Sequence, residues 1–397
     1  MTARAEALAR MTDEPGRITR LYGTPAHSAA SDALAGWMSA AGMSVVRDAV
    51  GNLIGRVEGE RPGAPALMLG SHFDSVRDAG RWDGTLGVLV AIAVAERLHA
   101  AARLPRVPLE VVAFADEEGT RFGTAFLGSA VLAGRFEEPD LQRVDADGVA
   151  LGDAIRAYGG DPTGLKGATR APGAYVEVHI EQGPVLDESD VALGVVTAIA
   201  GQTRALLRFR GIPGHAGTVP MELRRDALCA AAELVLAAEA LARDTPSLLA
   251  TVGRLALEPG APNVIPGSAE LSLDVRHPGD EERAAAVARL RERARRVAEA
   301  RGVGLEWEEL LDQPAVRCDD ALSRRLLRAA ESAGARAARL PSGAGHDATV
   351  MAQVAPVAML FVRCAGGVSH HPDESVAEAD VALAVDALAA FVEDFAP

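Results

Sequence analysis

Apolar and polar positions along this chain follow two periods, and together they mark out its elements. Residues 28–41 carry the spacing of a helix, and residues 43–57 alternate as a hairpin turning at Gly51-Asn52. The run 66–69 reads as a buried strand leading into a segment rich in glycine and charge, residues 70–87. Residues 83–98 start with glycines and continue as an apolar helix. Residues 109–115 are β-branched and apolar, a buried strand that ends in Asp116-Glu117-Glu118-Gly119. Residues 126–132 read as helical, and 137–173 as polar, glycine-rich chain with a short helix near 152–158. Strict alternation over 174–180 predicts another strand, with Glu177, His179 and Glu181 on one face and Val176, Val178 and Ile180 on the other.

The texture changes near Gly201. Strand 205–210, turn 211–220, helix 221–243, strands 248–257 and 269–275, helix 280–301 and strand 305–310 follow in the order βαββαβ. This predicts an inserted ferredoxin-like domain over 200–313, between two segments of a first domain, 1–199 and 314–397. Beyond it, helix 319–333, strand 357–362 and helix 380–395 resume the first pattern. Strands alternating with helices on both sides of the insertion predict an α/β fold, a mostly parallel sheet with helices on both faces.

Composition narrows the partners. A formal charge of −15 over 397 residues argues against nucleic acid and anionic membranes as partners, while a local cluster of Arg and His still suits a small anionic substrate. Cys229, Cys318 and Cys364 are scattered, so neither a disulfide framework nor a zinc ribbon is indicated, and a reduced, cytoplasmic setting is expected. The first residues lack a signal-peptide core, and no run of about twenty apolar residues offers a membrane span.

The candidate chemistry lies at the ends of the apolar strands. His72 and Asp83 follow the first, Glu117-Glu118 the second, His179 ends the third, and His370 follows the fourth. Open parallel sheets bind ligands beyond the carboxyl ends of their strands. His, Asp and Glu are ligands that zinc or manganese accepts, and a shared carboxylate permits a two-metal site. Asp74, two residues after His72 and so on the same face of a strand, is placed to hold that imidazole. A lone strand-end His is usually structural, and a Glu-Glu pair usually solvated. Their recurrence after several buried strands in one chain favours the metal reading.

These residues sit in longer motifs: GSHFDSVRDAGRWDGTLGVL, FADEEGTRFGTAFLGSAVLAG, YVEVHIEQGPVL, AIAGQTR, GHAGTVPM, NVIPGSAELSLDVRH, SGAGHDA and GGVSHHPDE. With them the chain resembles the M20-type metallopeptidase-like amidohydrolases over nearly its whole length. The resemblance is to the branch holding allantoate amidohydrolase, N-carbamoyl-L-amino-acid hydrolase and β-ureidopropionase, with GQTR, GHAGTVPM and MLFVRCAGGVSH most like allantoate amidohydrolases. It implies two divalent ions, zinc or manganese. His72 and His179 would hold one, Glu118 and His370 the other, and Asp83 would bridge them. Glu117 would be the general base. Gln182, His215, Asn263, Arg276 and His346 would contact a small anionic ureido substrate. The inserted domain would act as lid and homodimer contact, with His215 reaching the active site of the partner subunit. Allantoate hydrolysis is the activity implied. The alternatives are N-carbamoyl-L-amino-acid hydrolase, β-ureidopropionase, and a catalytically silent binding protein on the same fold.

Overall fold

The computed structural model describes residues 1–395; positions 396 and 397, the end of the expected segment 314–397, lie outside the described residues. The chain divides into two units. Unit 1 holds Met1–Thr197, Cys318–Leu340 and the chain from Ala344 onward, and unit 2 holds Ala198–Arg317 and Pro341–Gly343.

In chain order the strands are β1 (Ser44–Arg47), β2 (Leu53–Val57), β3 (Leu67–His72), β4 (Leu109–Phe114), β5 (Ala174–Ile180), β6 (Leu193–Ile199), β7 (Gly201–Arg210) and β8 (Gly214–His215). They continue as β9 (Leu249–Thr251), β10 (Leu255–Glu258), β11 (Val264–Ile265), β12 (Ser268–His277), β13 (Gly304–Gln313), β14 (Val316–Arg317), β15 (Ala337–Ser342) and β16 (Val357–Val362).

The main sheet runs β1-β2-β4-β3-β5-β16-β6-β14, with β15 also on β6. Its middle is parallel: β3 pairs with β4 and with β5, and β5 with β16. Its margins, β1–β2, β2–β4 and β16–β6, are antiparallel. The parallel strands carry apolar residues on both faces because both faces are covered: every residue of β3, β4 and β16 is buried. Helix Thr85–Ala100 lays Leu86, Leu89 and Val90 into the same core as Val176 and Val178 of β5, Leu360 of β16 and Leu388 of the closing helix Glu378–Asp394. The other face of β5 carries Tyr175, Glu177 and His179. It is also buried, and the backbone N–H of Ala348, in the short helix Asp347–Met351, donates to the Glu177 carboxylate at 2.8 Å.

Unit 2 is built on period-two strands. Its sheet runs β10-β12-β7-β13, with β9 on β12. Leu207 and Phe209 of β7 and Leu271, Leu273 and Val275 of β12 point into a core shared with helices Ala227–Asp244 and Asp280–Arg301. The opposite face holds ion pairs, among them Arg208–Glu270, Arg208–Glu306 and Arg210–Glu306.

Several expected boundaries move, each for a local reason. The first strand runs on through Gly70-Ser71 to His72, so Asp74 lies past its end in the loop and not on a shared strand face. The turn between β1 and β2 spans five positions because the Asp48 carboxylate collects the backbone N–H groups of Val50, Gly51 and Asn52. The helix expected from 221 begins at Ala227, where Asp226 caps it by accepting from the Cys229 N–H. The strand expected over 248–257 is broken into β9 and β10, and Arg254 N–H between them donates to the Ser272 hydroxyl. Helix Thr2–Ala9 and strands β6 and β15 have no counterpart in the pattern read from the sequence.

Candidate metal centre

The carboxyl ends of β3, β4 and β5 and the loop after β16 bring five donors together in unit 1. His72, Asp83 and His179 form one group and Asp83, Glu118 and His370 a second; within each group the ligand atoms lie within 4.8 Å of one another. Asp83 belongs to both. Its Oδ1 stands 3.3 Å from His179 Nε2 and 3.9 Å from His72 Nε2, and its Oδ2 stands 3.1 Å from His370 Nε2. His370 Nε2 also lies 3.3 Å from Glu118 Oε1. Gly84, next to Asp83, must be glycine: a Cβ there would meet the His72 ring at 2.3 Å.

The imidazoles are oriented from behind. His179 Nδ1 donates to the Ile180 carbonyl at 2.9 Å, which turns its Nε2 toward Asp83 as a lone-pair donor. His72 Nδ1 faces the Asp74 carboxylate at 3.2 Å. Asp74 also accepts the backbone N–H of Glu117 at 2.9 Å and of Glu118 at 3.2 Å, so one carboxylate anchors residues from two strand ends. Behind it lies Arg20, which no sequence signal singled out. Its buried guanidinium donates to the carbonyls of Phe73 at 2.5 Å and Leu8 at 2.8 Å, pinning the chain that leaves β3. Arg20 gives no signal in its own segment, because its partners are main-chain oxygens set by the fold.

The charges favour a cation. Burial raises the Glu117 carboxyl well above its usual range; His72 opposes this, while Glu118 and Asp347 add to it. Burial also raises Glu118, opposed by its hydrogen bond with His370. At Asp83, burial is outweighed by the His370 hydrogen bond and by the charges of His179 and His72, and the group is held below the usual carboxylate range. Asp83 and Glu118 therefore pair with histidines, which can be neutral, and not with Arg or Lys. Carboxylates and imidazoles converging on one place, with their charge balanced by neither Arg nor Lys, fit a divalent metal centre.

Other expected site residues occupy different settings. Gln182 is in the centre: its Nε2 lies 3.3 Å from Asp83 Oδ1 and 3.4 Å from His370 Nε2. Gln182 and His370 both have left-handed backbones, φ 58° and 54°, a strained conformation for such side chains that clusters at functional sites. His346 is buried, edge-on to the His179 ring with centroids 4.6 Å apart, so it is an interior ring and not an open loop residue. Glu177 sits beneath, accepting from the Ser71 hydroxyl at 3.3 Å. Glu181 instead accepts two N–H groups, from Val185 and Leu186, at a helix start. His371 makes an exposed pair with Asp373 at 3.5 Å.

In unit 2, His215 of β8 and Asn263 are neighbours, with the Ala216 N–H donating to the Asn263 carbonyl at 3.0 Å. The exposed His215 ring accepts the Gly217 N–H at Nδ1, 3.1 Å, which leaves Nε2 as its donor. The Arg276 fork is engaged by Asp274 at 2.9 and 3.2 Å, and its Nη1 donates to the Gly343 carbonyl at 2.7 Å. Among the described residues no helix is long and apolar enough to cross a membrane.

Comparison with known proteins adds the family context. The model of peptidase family M20/M25/M40 matches residues 68–394. The chain is 40% identical to an allantoate deiminase of Arabidopsis thaliana, covering 98% of this chain and 81% of the relative. It is 41% identical to an N-carbamoyl-L-amino acid amidohydrolase of Geobacillus stearothermophilus, covering 94% and 92%. A crystal structure of an amidase of the hydantoinase/carbamoylase family from Burkholderia multivorans superposes with a TM-score of 0.93 at 35% identity, covering 98% and 96% of the two chains.

Proposed function

The chain belongs to peptidase family M20/M25/M40, and from that premise we propose that it hydrolyses the ureido C–N bond of a small anionic substrate, allantoate. The observation that carries the reading is Asp83, one carboxylate shared by two donor groups, with buried Glu117 beside them. His72 and His179 would hold one divalent ion and Glu118 and His370 the other, with Asp83 common to both donor groups; zinc and manganese suit this donor set. Bound there, the ions supply Lewis-acid polarisation and a lowered water pKa.

The protein groups then divide the work. Glu117 takes the proton from the attacking water and returns it to the departing nitrogen, a role that suits a carboxyl raised by burial. His215, with its proton on Nε2, donates to the developing oxyanion. Arg276 takes the substrate carboxylate with the N–H groups that Asp274 and the Gly343 carbonyl leave over, Asp274 holding the guanidinium in orientation. Gln182, Asn263 and His346 complete the contacts. In this reading the enzyme is a homodimer through unit 2, and His215 serves the partner's centre. Exposed Ile212, Met221 and Leu223, close to His215 in sequence, are consistent with that contact.

The second reading, an N-carbamoyl-L-amino-acid hydrolase, is favoured by the Geobacillus relative, whose identity matches that of the plant deiminase. Both substrate types carry a ureido group and a carboxylate. Measurement of kcat/KM on allantoate, N-carbamoyl-β-alanine and several N-carbamoyl-L-amino acids, with manganese or zinc added, decides between them. Allantoate is expected to give the highest value. Turnover of none of them under either ion would overturn both readings.

A further inference from the structure

We propose that Glu374 is a positioning residue of the metal centre, its buried carboxylate tying the loop that presents Asp83 to the loop that presents His370. The inference rests on the metal-centre reading above. Glu374 lies four residues beyond His370 and is 1% exposed. Its Oε1 accepts the backbone N–H of Trp82 at 2.7 Å and of Asp83 at 3.1 Å. Its Oε2 accepts the Ser369 hydroxyl at 3.3 Å. Ser369 in turn stands 3.5 Å from Asp83 Oδ2 and 3.3 Å from Gln182 Nε2. One carboxylate therefore joins chain segments 291 positions apart, each presenting a donor.

Two further observations show that the contact is built. A Cβ on Gly80 would fall 2.2 Å from Glu374 Cδ, so the loop before Asp83 closes over this carboxylate only because position 80 has no side chain. His370 keeps a left-handed backbone, and such a conformation persists only where its surroundings hold it. Ser369, gripped by Glu374, is its immediate neighbour. Because Asp83 is common to both donor groups, a loss at Glu374 reaches both pockets and not one.

The test uses the full chain, stripped with chelator and titrated with Mn²⁺ by calorimetry, with circular dichroism to monitor folding. Glu374→Ala is expected to weaken binding of both ions by about 10–100-fold, the usual cost of removing a group that orients metal ligands. Glu374→Gln should recover most of that, since its carbonyl oxygen accepts the two N–H groups and its amide donates to Ser369. Ser369→Ala should fall between the parent and Glu374→Ala. A folded Glu374→Ala with parental affinity for both ions would overturn the proposal, even if its thermal stability dropped. If Glu374→Ala does not refold, Ser369→Ala decides, and parental affinity there overturns it. A parent protein that binds no divalent ion removes the metal-centre reading and this inference together.

Discussion

Both units concentrate charge, yet they use it in opposite ways. Besides surface pairs such as Arg97–Asp386, unit 1 holds an interior cluster of charge: His72, Asp74, Asp83, Glu117, Glu177, His179 and Glu374 are all buried. Most are held by main-chain groups or by another member of the cluster, as Asp74 faces His72 and Glu374 accepts the Asp83 N–H. In unit 2, Arg208, Arg210, Glu270 and Glu306 lie on the outer face of the sheet, in reach of water. Interior charges are costly unless paired and coordinated, so their geometry is specific and their removal is felt. Solvated pairs are screened and contribute little. Charge density alone marks neither unit, whereas buried charge with oriented lone pairs marks unit 1.

Mutations test that contrast. The largest effect is expected at Glu117→Gln, which keeps shape but cannot take a proton: kcat should fall by about 10²–10⁴-fold with metal content unchanged in elemental analysis. Near-normal turnover would remove Glu117 from the role of base. Next, Asp83→Ala should cost binding of both ions, whereas His72→Ala should mainly cost one; loss of the same single ion from both variants would contradict the bridging assignment. Asp74→Ala acts one step further back. It releases His72 and two backbone N–H groups, and metal affinity should drop by about 10–100-fold while Glu117→Gln leaves it intact. The smallest effect belongs to unit 2. Glu306→Gln removes partners of two arginines on the open face, and its thermal midpoint should match the parent; a clear drop would show that the outer face is covered and not solvated.

Much of this was legible in one dimension. Residues 174–180, 280–301 and 357–362 are elements with the limits the pattern predicted, because periodicity over a few turns or pleats is a local property. The central parallel strands were legible from apolar runs that need cover on both faces. β6 was not read, although LGVVTAI is rich in β-branched residues; in the fold it lies antiparallel on β16. The polar face of β5 was placed correctly on one side. Only the fold shows that this side is buried, with Glu177 beneath Ala348 and His179 against His346.

Which donor residues exist, and that they follow strand ends, is written in the order of the chain, because strand direction carries each end to the same edge of a parallel sheet. Tertiary structure decided how they are held. Arg20 reaches the carbonyl of Phe73, 53 positions away, and Glu374 reaches the N–H of Trp82, 292 positions away. The strained backbones of Gln182 and His370 are likewise imposed by packing. Neither a period nor a motif encodes such contacts, since each joins a side chain to main-chain groups present at every residue, and only the folded path selects which ones meet.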